Sequence, residues 1–243
     1  MKDKNIIFTV ETDVTQIECD LVNAAVSVEE AADGIFKIEY PNAKNVHIGS
    51  GENGLFLSQK KKLFGGKQQF KIYVPAHIIP AVKLNGKCFD FSVCGGIFGE
   101  LNLNADCGNM NLKDCVFESV DVNGGEMNAC LGGSTVKGNL NLQLAKGDVL
   151  AENTFATRTV LRVKRGNLGL VNLTCKDCTF ETEKGNVTAT MKGCEEDFST
   201  SLLSKEGTVN RESVKRDGAE NVFTAYTQKG NVVLDFIDGK ENE

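Results

Sequence analysis

The chain has no tryptophan, three prolines and two histidines among its 243 residues. Because both histidines, His47 and His77, lie in the first third of the sequence, we expect no Ser-His-Asp or Cys-His arrangement in the remainder. Disordered low-complexity chains are usually rich in both proline and glycine, so the low proline content argues against that class. The 25 glycines are therefore expected at positions where the backbone requires them.

Long hydrophobic runs are also missing. The N-terminal apolar run is only Ile6-Ile7-Phe8, and Glu11 and Asp13 follow it, which is too short for the core of a secretory signal. Nothing approaches the roughly 18 apolar residues that cross a bilayer. We therefore expect a cytoplasmic protein without direct membrane insertion. The cell surface is the alternative if the sequence belongs to a longer protein.

Excess positive charge is lacking as well. The formal net charge is −6, so nucleic acid is not expected as a partner. The one basic concentration is Lys60-Lys61-Lys62 with Lys67 and Lys71. Gly65-Gly66 is typical of a hairpin tip, so this segment is interpreted as a solvated hairpin.

What the sequence does contain is a repeated glycine-led motif. Each copy has glycine, a small polar or acidic residue, and an apolar–polar–apolar triplet, a period of two that predicts half-buried strands. Leu101 and Leu103 are predicted to face the core, and Asn102 and Asn104 the solvent. The copies begin at Gly99, Gly108, Gly125, Gly138, Gly147, Gly166, Gly185 and Gly230, with a degenerate copy at Gly207.

The spacing of the copies indicates how the strands are arranged. Intervals near 20 residues suit one turn of a β-solenoid, and the copies at Gly99 and Gly138 predict more than one strand per turn. We predict an all-β fold, a right-handed β-solenoid or β-helix-like stack of short strands. A β-sandwich is the alternative, since its hairpins place strands about every 8–12 residues. From Gly108, the copies at Gly125, Gly147, Gly166, Gly185, Gly207 and Gly230 are 17, 22, 19, 19, 22 and 23 residues apart.

Residues 1–80 lack this repeat. They are predicted to form an N-terminal β cap or leading sheet, and 81–243 the solenoid, within one continuous domain. Only Cys194–Lys205 has a pattern compatible with a helical turn or two. The strands predicted in the first segment are Ile6–Val10, Gln16–Asp20, Ala25–Val28, Phe36–Glu39, Val46–Ile48, Leu55–Ser58 and Phe70–Val74.

An N-terminal strand pattern leading into Lys71–Pro75, followed by repeated Gly-Asn strands ending in Gly230–Leu234, resembles the bacterial putative adhesin family. That family is a domain of unknown function with a β-solenoid-like fold, and the resemblance covers roughly 15–237. It implies the fold but no catalytic or cofactor-binding residues. Many family members look exported or anchored, and no such segment is recognised here, so extracellular adhesion is not carried over.

Nine cysteines are present, an odd number, and most lie in strand-like contexts. We expect reduced thiols packed in the core of a cytosolic protein. The weak metal candidates are Cys175 and Cys178, a lone C-x-x-C pair for which Cys107 or Cys194 could supply a further ligand only by stacking. A structural role for the pair is favoured, and neither metal nor cofactor is predicted.

Charged residues also form one weak cluster. Asp148 and Glu152 are followed by Arg158, Arg162 and Arg165, as an acid pair with basic neighbours in a polysaccharide-cleaving β-helix would require. A solvated face of alternating charges is the favoured interpretation. No catalytic residue is therefore assigned.

The outward asparagines complete the sequence-based picture. They form a polar face that could bind a sugar or a protein, although ordinary solvent-facing strand residues look the same. The predicted function is a non-catalytic binding or scaffold module for an unknown protein or glycan partner, with self-association through sheet edges. The alternatives are a carbohydrate-active β-helix enzyme and a thiol or zinc sensor. The asparagines concerned are Asn102, Asn104, Asn111, Asn128 and Asn141.

Overall fold

A computed structural model of the chain describes residues 5–10, 14–51, 54–60 and 66–237. Their regular structure consists of strands and one 3-10 turn, Glu195–Asp197. The strands are β1 (Asn5–Thr9), β2 (Gln16–Glu30), β3 (Lys37–Pro41), β4 (Val46–Ser50), β5 (Gly54–Gln59), β6 (Gln68–Val74), β7 (Ala81–Cys94), β8 (Ile97–Lys113), β9 (Val116–Gly132), β10 (Thr135–Lys146), β11 (Val149–Glu152), β12 (Phe155–Arg165), β13 (Leu168–Lys184), β14 (Val187–Lys192), β15 (Phe198–Glu206), β16 (Asn221–Lys229) and β17 (Val232–Ile237).

The strands from β7 onward stack in parallel, one layer upon the next. Strand β7 pairs with β8 and β8 with β9, each over nearly its whole length. We call each layer of the stack a rung. The rung after β9 is β10 followed by β11, and above it lie β12 and the beginning of β13. The end of β13 with β14 forms a further rung. The predicted all-β, β-solenoid-like fold is confirmed, whereas its handedness stays a prediction.

The core runs through the stack as one continuous cluster of apolar side chains. Leu101, Met110, Leu140 and Val187, which the alternating pattern assigns to the interior, are each at most 1% exposed. Burying a side chain of this size contributes about 1.5–3 kcal/mol. Since each rung buries its inner face only against its neighbours, stability depends on the stacking itself.

Rungs close with tight turns that demand particular residues. Asp114, Asn153 and Asn172 occupy equivalent turn positions with φ of 52°, 48° and 55°. Asparagine, aspartate and glycine tolerate this left-handed region best. In the following positions, the hydroxyl groups of Ser134 and Thr154 donate to the carbonyl oxygens of Gly132 and Glu152. Side-chain chemistry thus fixes where each rung ends.

The register corrects two of the glycine intervals. Gly108 stands opposite Met127, not Gly125, and Gly147 packs against the carbonyl of Met127 on the next rung. The intervals of 17 and 22 residues are uneven because Met127, and not Gly125, occupies the position on its rung that Gly108 and Gly147 occupy on theirs. From Asp90 to Asn186, hydrogen-bonded equivalents on neighbouring rungs are 19 or 20 residues apart in the sequence.

At the C-terminal end, chain order and spatial order differ. Strand β16 lies between β13 and β15, and β17 pairs with β14. Gly230 therefore stacks between Gly185 and Gly207, so the interpretation of Gly185, Gly207 and Gly230 as successive turns is wrong. An antiparallel bridge from Val214 to Thr200 packs on the outer side of β15.

The segment Cys194–Lys205, for which the sequence allows a helical turn or two, contains the single 3-10 turn Glu195–Asp197, and β15 begins at Phe198. The side chains of Phe198, Thr200 and Leu202 alternate inward, a period of two that a helix cannot satisfy. Burial of this alternating face overrides the local sequence preference.

The N-terminal segment contains both antiparallel and parallel pairing. Strand β3 pairs antiparallel with β1 and β6, and β4 antiparallel with β5. Strand β2, although within residues 1–80, pairs in parallel with β5, β6 and β7 and so belongs to the stack. All seven strands predicted here overlap observed strands, with Gln16–Asp20 and Ala25–Val28 both inside β2. The division into 1–80 and 81–243 stays a prediction.

Candidate functional site: a polar groove along the stack

Outward-facing side chains from successive rungs form a groove of about 650 Å³. Its lining extends from Asn104 on β8 to Tyr226 on β16, so it runs along the stacking axis across several rungs. A second depression of about 380 Å³ lies beside it and shares Gln143 and Arg162. Of the outward asparagines predicted from the sequence, Asn104 lines the groove and Asn102 and Asn141 line the depression beside it, whereas Asn111 and Asn128 line neither.

Four carboxamides stand in register along this face, one from each of four consecutive rungs. We call them the amide column: Asn85, Asn104, Asn123 and Gln143. The same column continues through Arg162, Glu181 and Tyr226. Within the part of the chain that the structure describes, none of the four carboxamides makes a hydrogen bond. Their donors and acceptors are free for a ligand.

A second row of polar side chains follows one corner of the solenoid, and these side chains do form hydrogen bonds within the protein. There, the Asn167 backbone N–H donates to Asp148 Oδ1 at 2.7 Å, and the Asn186 N–H donates to Asn167 Oδ1 at 2.9 Å. The same pattern continues to Asn231, whose Oδ1 accepts from the N–H of Thr208. We call this row the corner ladder: Asp90, Asn109, Asn128, Asp148, Asn167, Asn186, Asn231 and Thr208.

The groove has one ion pair and three unpaired charges. Arg162 Nε lies 2.9 Å from Glu181 Oε2, and Arg158, which lines the depression beside the groove, has its Nε 3.1 Å from Asp177 Oδ2. Asp121 accepts a hydrogen bond from Asn141 at 3.2 Å. Among the described groove residues, Asp106, Lys164 and Glu183 carry charges without an ion-pair partner. The groove therefore has no positive excess that would select a polyanion.

The acidic residues that the sequence groups with arginines are separated by the fold. Asp148 belongs to the corner ladder, where its Oδ1 accepts two hydrogen bonds from Asn167. Glu152 ends β11, and the four residue steps from Asp148 to Glu152 span about 13 Å of extended chain. Paired glycosidase carboxylates lie roughly 5–9.5 Å apart. Arg162 lines the groove and Arg158 the depression beside it, whereas Arg165 ends β12 outside both linings.

Cys175 and Cys178 both point into the core from β13. The Cys175 thiol donates to the carbonyl of Asp177 at 3.3 Å. Hydrogen bonding with Cys178 lowers the pKa of Cys175, and burial raises the pKa of Cys178. Among the residues that the structure describes, no group of three or more His, Cys, Asp or Glu side chains could hold a metal ion. The expectation that the site binds no metal stays a prediction.

The expectation of reduced thiols throughout needs correction. Cys88 and Cys107 are joined by a disulfide, because they stand directly opposite each other on β7 and β8 with Cα atoms 4.5 Å apart. Four of the remaining cysteines pack in the core as expected, and burial raises the pKa of one of them, Cys19, to about 12. Cys94, by contrast, is exposed. The four buried free thiols are Cys19, Cys115, Cys175 and Cys178.

The described lysines of the basic segment, Lys60, Lys67 and Lys71, are not among the residues that line the groove. Lys61, Lys62 and Gly65 lie outside the described residues, and Lys60 and Lys71 are exposed. Lys67 pairs with Asp90 at 2.6 Å, at one end of the corner ladder. The interpretation as a solvated hairpin stays a prediction.

Sequence reasoning missed three groove residues, Asn123, Gln143 and Tyr226, and also Asn85, which extends the amide column beyond the groove. The signal was present as a spacing. Asn85, Asn104 and Asn123 recur at the 19-residue rung length, as do Cys88 and Cys107. Aligning the sequence by rung, rather than by the glycine motif, would have placed these residues in register.

The chain matches a known protein family. The family model described as Toastrack DUF4097 matches residues 4–236. The chain belongs to this family. The predicted resemblance to bacterial putative adhesins, a domain of unknown function, is confirmed. Among the residues described, no helix is long and apolar enough to traverse a bilayer.

Solved structures similar to this Toastrack chain include three bacterial proteins, and no function is carried over from them. A putative adhesin from Parabacteroides distasonis ATCC 8503 has 12% identity and a TM-score of 0.49, covering 98% of this chain and 97% of that one. One from Bacteroides fragilis NCTC 9343 has 16% identity and a TM-score of 0.44, covering 97% and 98%. A putative cell adhesion protein from Clostridium sporogenes ATCC 15579 has 14% identity and a TM-score of 0.32, covering 97% and 100%. None of the curated proteins matches the chain.

Proposed function

We propose that this Toastrack chain is a non-catalytic binding module that presents its polar groove to a partner. The observation that carries this proposal is the amide column, whose four carboxamides are uncommitted while equivalent side chains in the corner ladder are engaged. Exposed polar groups in a concave site, free of internal partners, are available for recognition. The family membership is compatible with a binding role.

The enzyme and sensor alternatives receive less support from the geometry. Asp148 is engaged in the corner ladder, and its distance from Glu152 does not suit a catalytic carboxylate pair. Cys175 and Cys178 are buried, at 4% and 0% exposure, so neither thiol faces a solution reactant. Binding without catalysis is therefore the function that we propose.

The test compares a groove-filling variant with a matched variant elsewhere. Ala145 lines the groove and is exposed, so Ala145→Trp places an indole in it. Asn111, on β8 and outside the groove lining, is equally exposed, and Asn111→Trp is the control. Immobilised native and variant proteins would be exposed to a panel of soluble glycans, extracellular proteins and lipid vesicles.

We expect at least one panel member to bind the native protein and Asn111→Trp but not Ala145→Trp. Thermal unfolding of the three proteins checks that Ala145→Trp remains folded. Equal binding by all three, or no binding to any panel member, would contradict the proposal.

We also propose an oxidising location, the alternative to the cytoplasm. The Cys88–Cys107 bond supports it, since such bonds are rare in reducing compartments. Trapping thiols by alkylation in intact producing cells, followed by mass spectrometry, should leave Cys88 and Cys107 unmodified and alkylate the exposed Cys94. Alkylation of all three would favour the cytoplasm.

A further inference from the structure

The ligand of the groove can be narrowed by the geometry of the amide column. Its members follow one another on adjacent parallel strands, which are about 4.8 Å apart. Each carboxamide offers two N–H donors and one carbonyl acceptor. A ligand lying along the column therefore meets the same donor–acceptor set once per rung.

This repeat discriminates between classes of polymer. An extended peptide returns to the same face only every two residues, about 6.6 Å, and so falls out of step with the rungs. Successive pyranose rings in an extended glycan are separated by nearly the distance between adjacent rungs. Their hydroxyl groups both donate and accept hydrogen bonds. The amide column therefore matches a polysaccharide better than a peptide strand.

The charges of the groove narrow the class further. In the groove, Arg162 is neutralised by Glu181, and the unpaired charges are Asp106, Glu183 and Lys164. With two unpaired acids against one base, an acidic polysaccharide would be repelled rather than attracted. An uncharged glycan meets no such penalty.

Building on the proposed binding function, we infer that the groove binds an extended neutral polysaccharide along the stacking axis, with one sugar per rung and with the carboxamides of Asn104, Asn123 and Gln143 as contacts. The groove extends over six rungs from Asn104 to Tyr226, about 24 Å between the first and the last. Tyr226 provides an amphipathic ring at the far end. The groove is therefore expected to hold five or six sugars.

The experiment uses soluble neutral polysaccharides, a β-1,4-glucan, a mannan and a xylan, with polygalacturonate as the acidic comparison. Asn104→Ala and Asn123→Ala each remove one carboxamide from the column, and Asn111→Ala removes one from the same strand as Asn104 but outside the groove. Affinity is measured by calorimetry, and far-UV circular dichroism confirms that each variant is folded.

We expect at least one neutral polysaccharide to bind, with affinity falling about five- to tenfold in each column variant and unchanged in Asn111→Ala. Oligosaccharides of the bound type should bind more tightly up to five or six sugars and no more tightly beyond. A length dependence that ends at two sugars would overturn the one-sugar-per-rung arrangement.

Other outcomes separate this inference from the function beneath it. If Ala145→Trp abolishes binding of a protein or of polygalacturonate while no neutral glycan binds, the module function stands and the glycan assignment is wrong. Neutral glycan binding that is equal in native protein, Asn104→Ala and Asn123→Ala would also overturn the assignment. Unchanged binding of every ligand in Ala145→Trp would overturn both.

Discussion

The corner ladder and the amide column are built largely from the same residue type, one per rung, in the same stack, yet their side chains do different things. At the corner the chain bends, and the backbone N–H of Asn186 points toward the preceding rung, where Asn167 Oδ1 accepts it. On the groove face, the backbone of Asn104 lies within the paired strands β8 and β9, and its side chain points outward. Where the backbone leaves an N–H group unpaired, an asparagine side chain accepts it and supports the fold. Where every backbone group is already paired, the asparagine side chain stays available for a ligand.

Close packing at the corner gives the largest expected difference between the two regions. Gly166 has φ of 151°, and a Cβ there would overlap the carbonyl oxygen of Gly147 on the adjacent rung. We expect Gly166→Ala to reduce the free energy of unfolding by about 3 kcal/mol, from strain plus displacement of the rung. Chemical denaturation measures it.

Gly49 on β4 is the matched control, because an added Cβ there has no atom within 4 Å and its φ is not positive. Gly49→Ala should change the free energy of unfolding by less than about 1 kcal/mol. Equal losses for the two alanine variants would show that the corner is not the constrained region.

The disulfide lies between the two regions on both of its strands, with Cys88 between Asn85 and Asp90 and Cys107 between Asn104 and Asn109. It closes a loop of 19 residues, so Cys88→Ser should cost about 3 kcal/mol through the entropy of the unfolded chain. Denaturation under non-reducing conditions measures the loss. Since Cys94 is exposed and free, Cys94→Ser is the control and should leave stability unchanged.

The outcome bears on both regions. If Cys88→Ser lowers stability but leaves ligand binding at the groove intact, the disulfide stabilises the stack and has no part in binding. Stability unaffected by Cys88→Ser would mean that the pair is not bonded in the folded protein.

Removing single carboxamides tests the comparison directly. Asn167 donates to Asp148 and accepts from the N–H of Asn186, so Asn167→Ala leaves a corner N–H without its partner. We expect a loss of about 1–2 kcal/mol in the free energy of unfolding. Asn123→Ala, which removes no internal hydrogen bond, should change it by less than about 0.5 kcal/mol.

Ligand binding should show the reverse order, with Asn123→Ala weakening it and Asn167→Ala leaving it unchanged. Denaturation and calorimetry on the same two variants give both comparisons. If both variants lost stability equally, the two rows of side chains could not be assigned different roles.

How far the sequence could lead is clear from particular residues. The period-two alternation correctly placed Leu101 and Met110 inside and Asn102 outside, because burial of one face of a strand follows directly from the pattern. The fold class followed from glycine spacing near one solenoid turn. Met127 at a corner otherwise occupied mostly by glycine concealed the true register, since its side chain could turn inward and be buried.

The candidate site was less accessible than the fold. The alternation predicts Asn102, Asn104 and Asn128 to face outward, and all three are exposed, but it does not show that the carboxamide of Asn128 is hydrogen-bonded in the corner ladder. Which asparagine meets which depends on register, a long-range property that local alternation does not encode. The insertion of β16 and β17 beneath β15 was similarly out of reach, because both segments have an equally suitable alternating face.

The smallest expected effect concerns pH, where the two regions again differ. Partial burial raises the pKa of Asp90, but hydrogen bonds from Lys67 and Asn109 outweigh it, so the pKa lies below the ordinary 3.8. Because the folded pKa is the lower one, this carboxylate stabilises the fold above pH 3.8, and its contribution is lost as pH falls through the folded value. The amide column carries no titrating group in its four carboxamides.

Asp90→Asn should therefore unfold more easily than the native protein near pH 7, with the difference shrinking to nothing as pH is lowered below the folded pKa. Asn123→Ala should differ from the native protein by the same small amount at every pH. Thermal unfolding from pH 7 to pH 2 measures both. If the stability difference between Asp90→Asn and the native protein persisted undiminished in acid, Asp90 would support the corner ladder through its shape and not its charge. The two regions would then differ in packing alone.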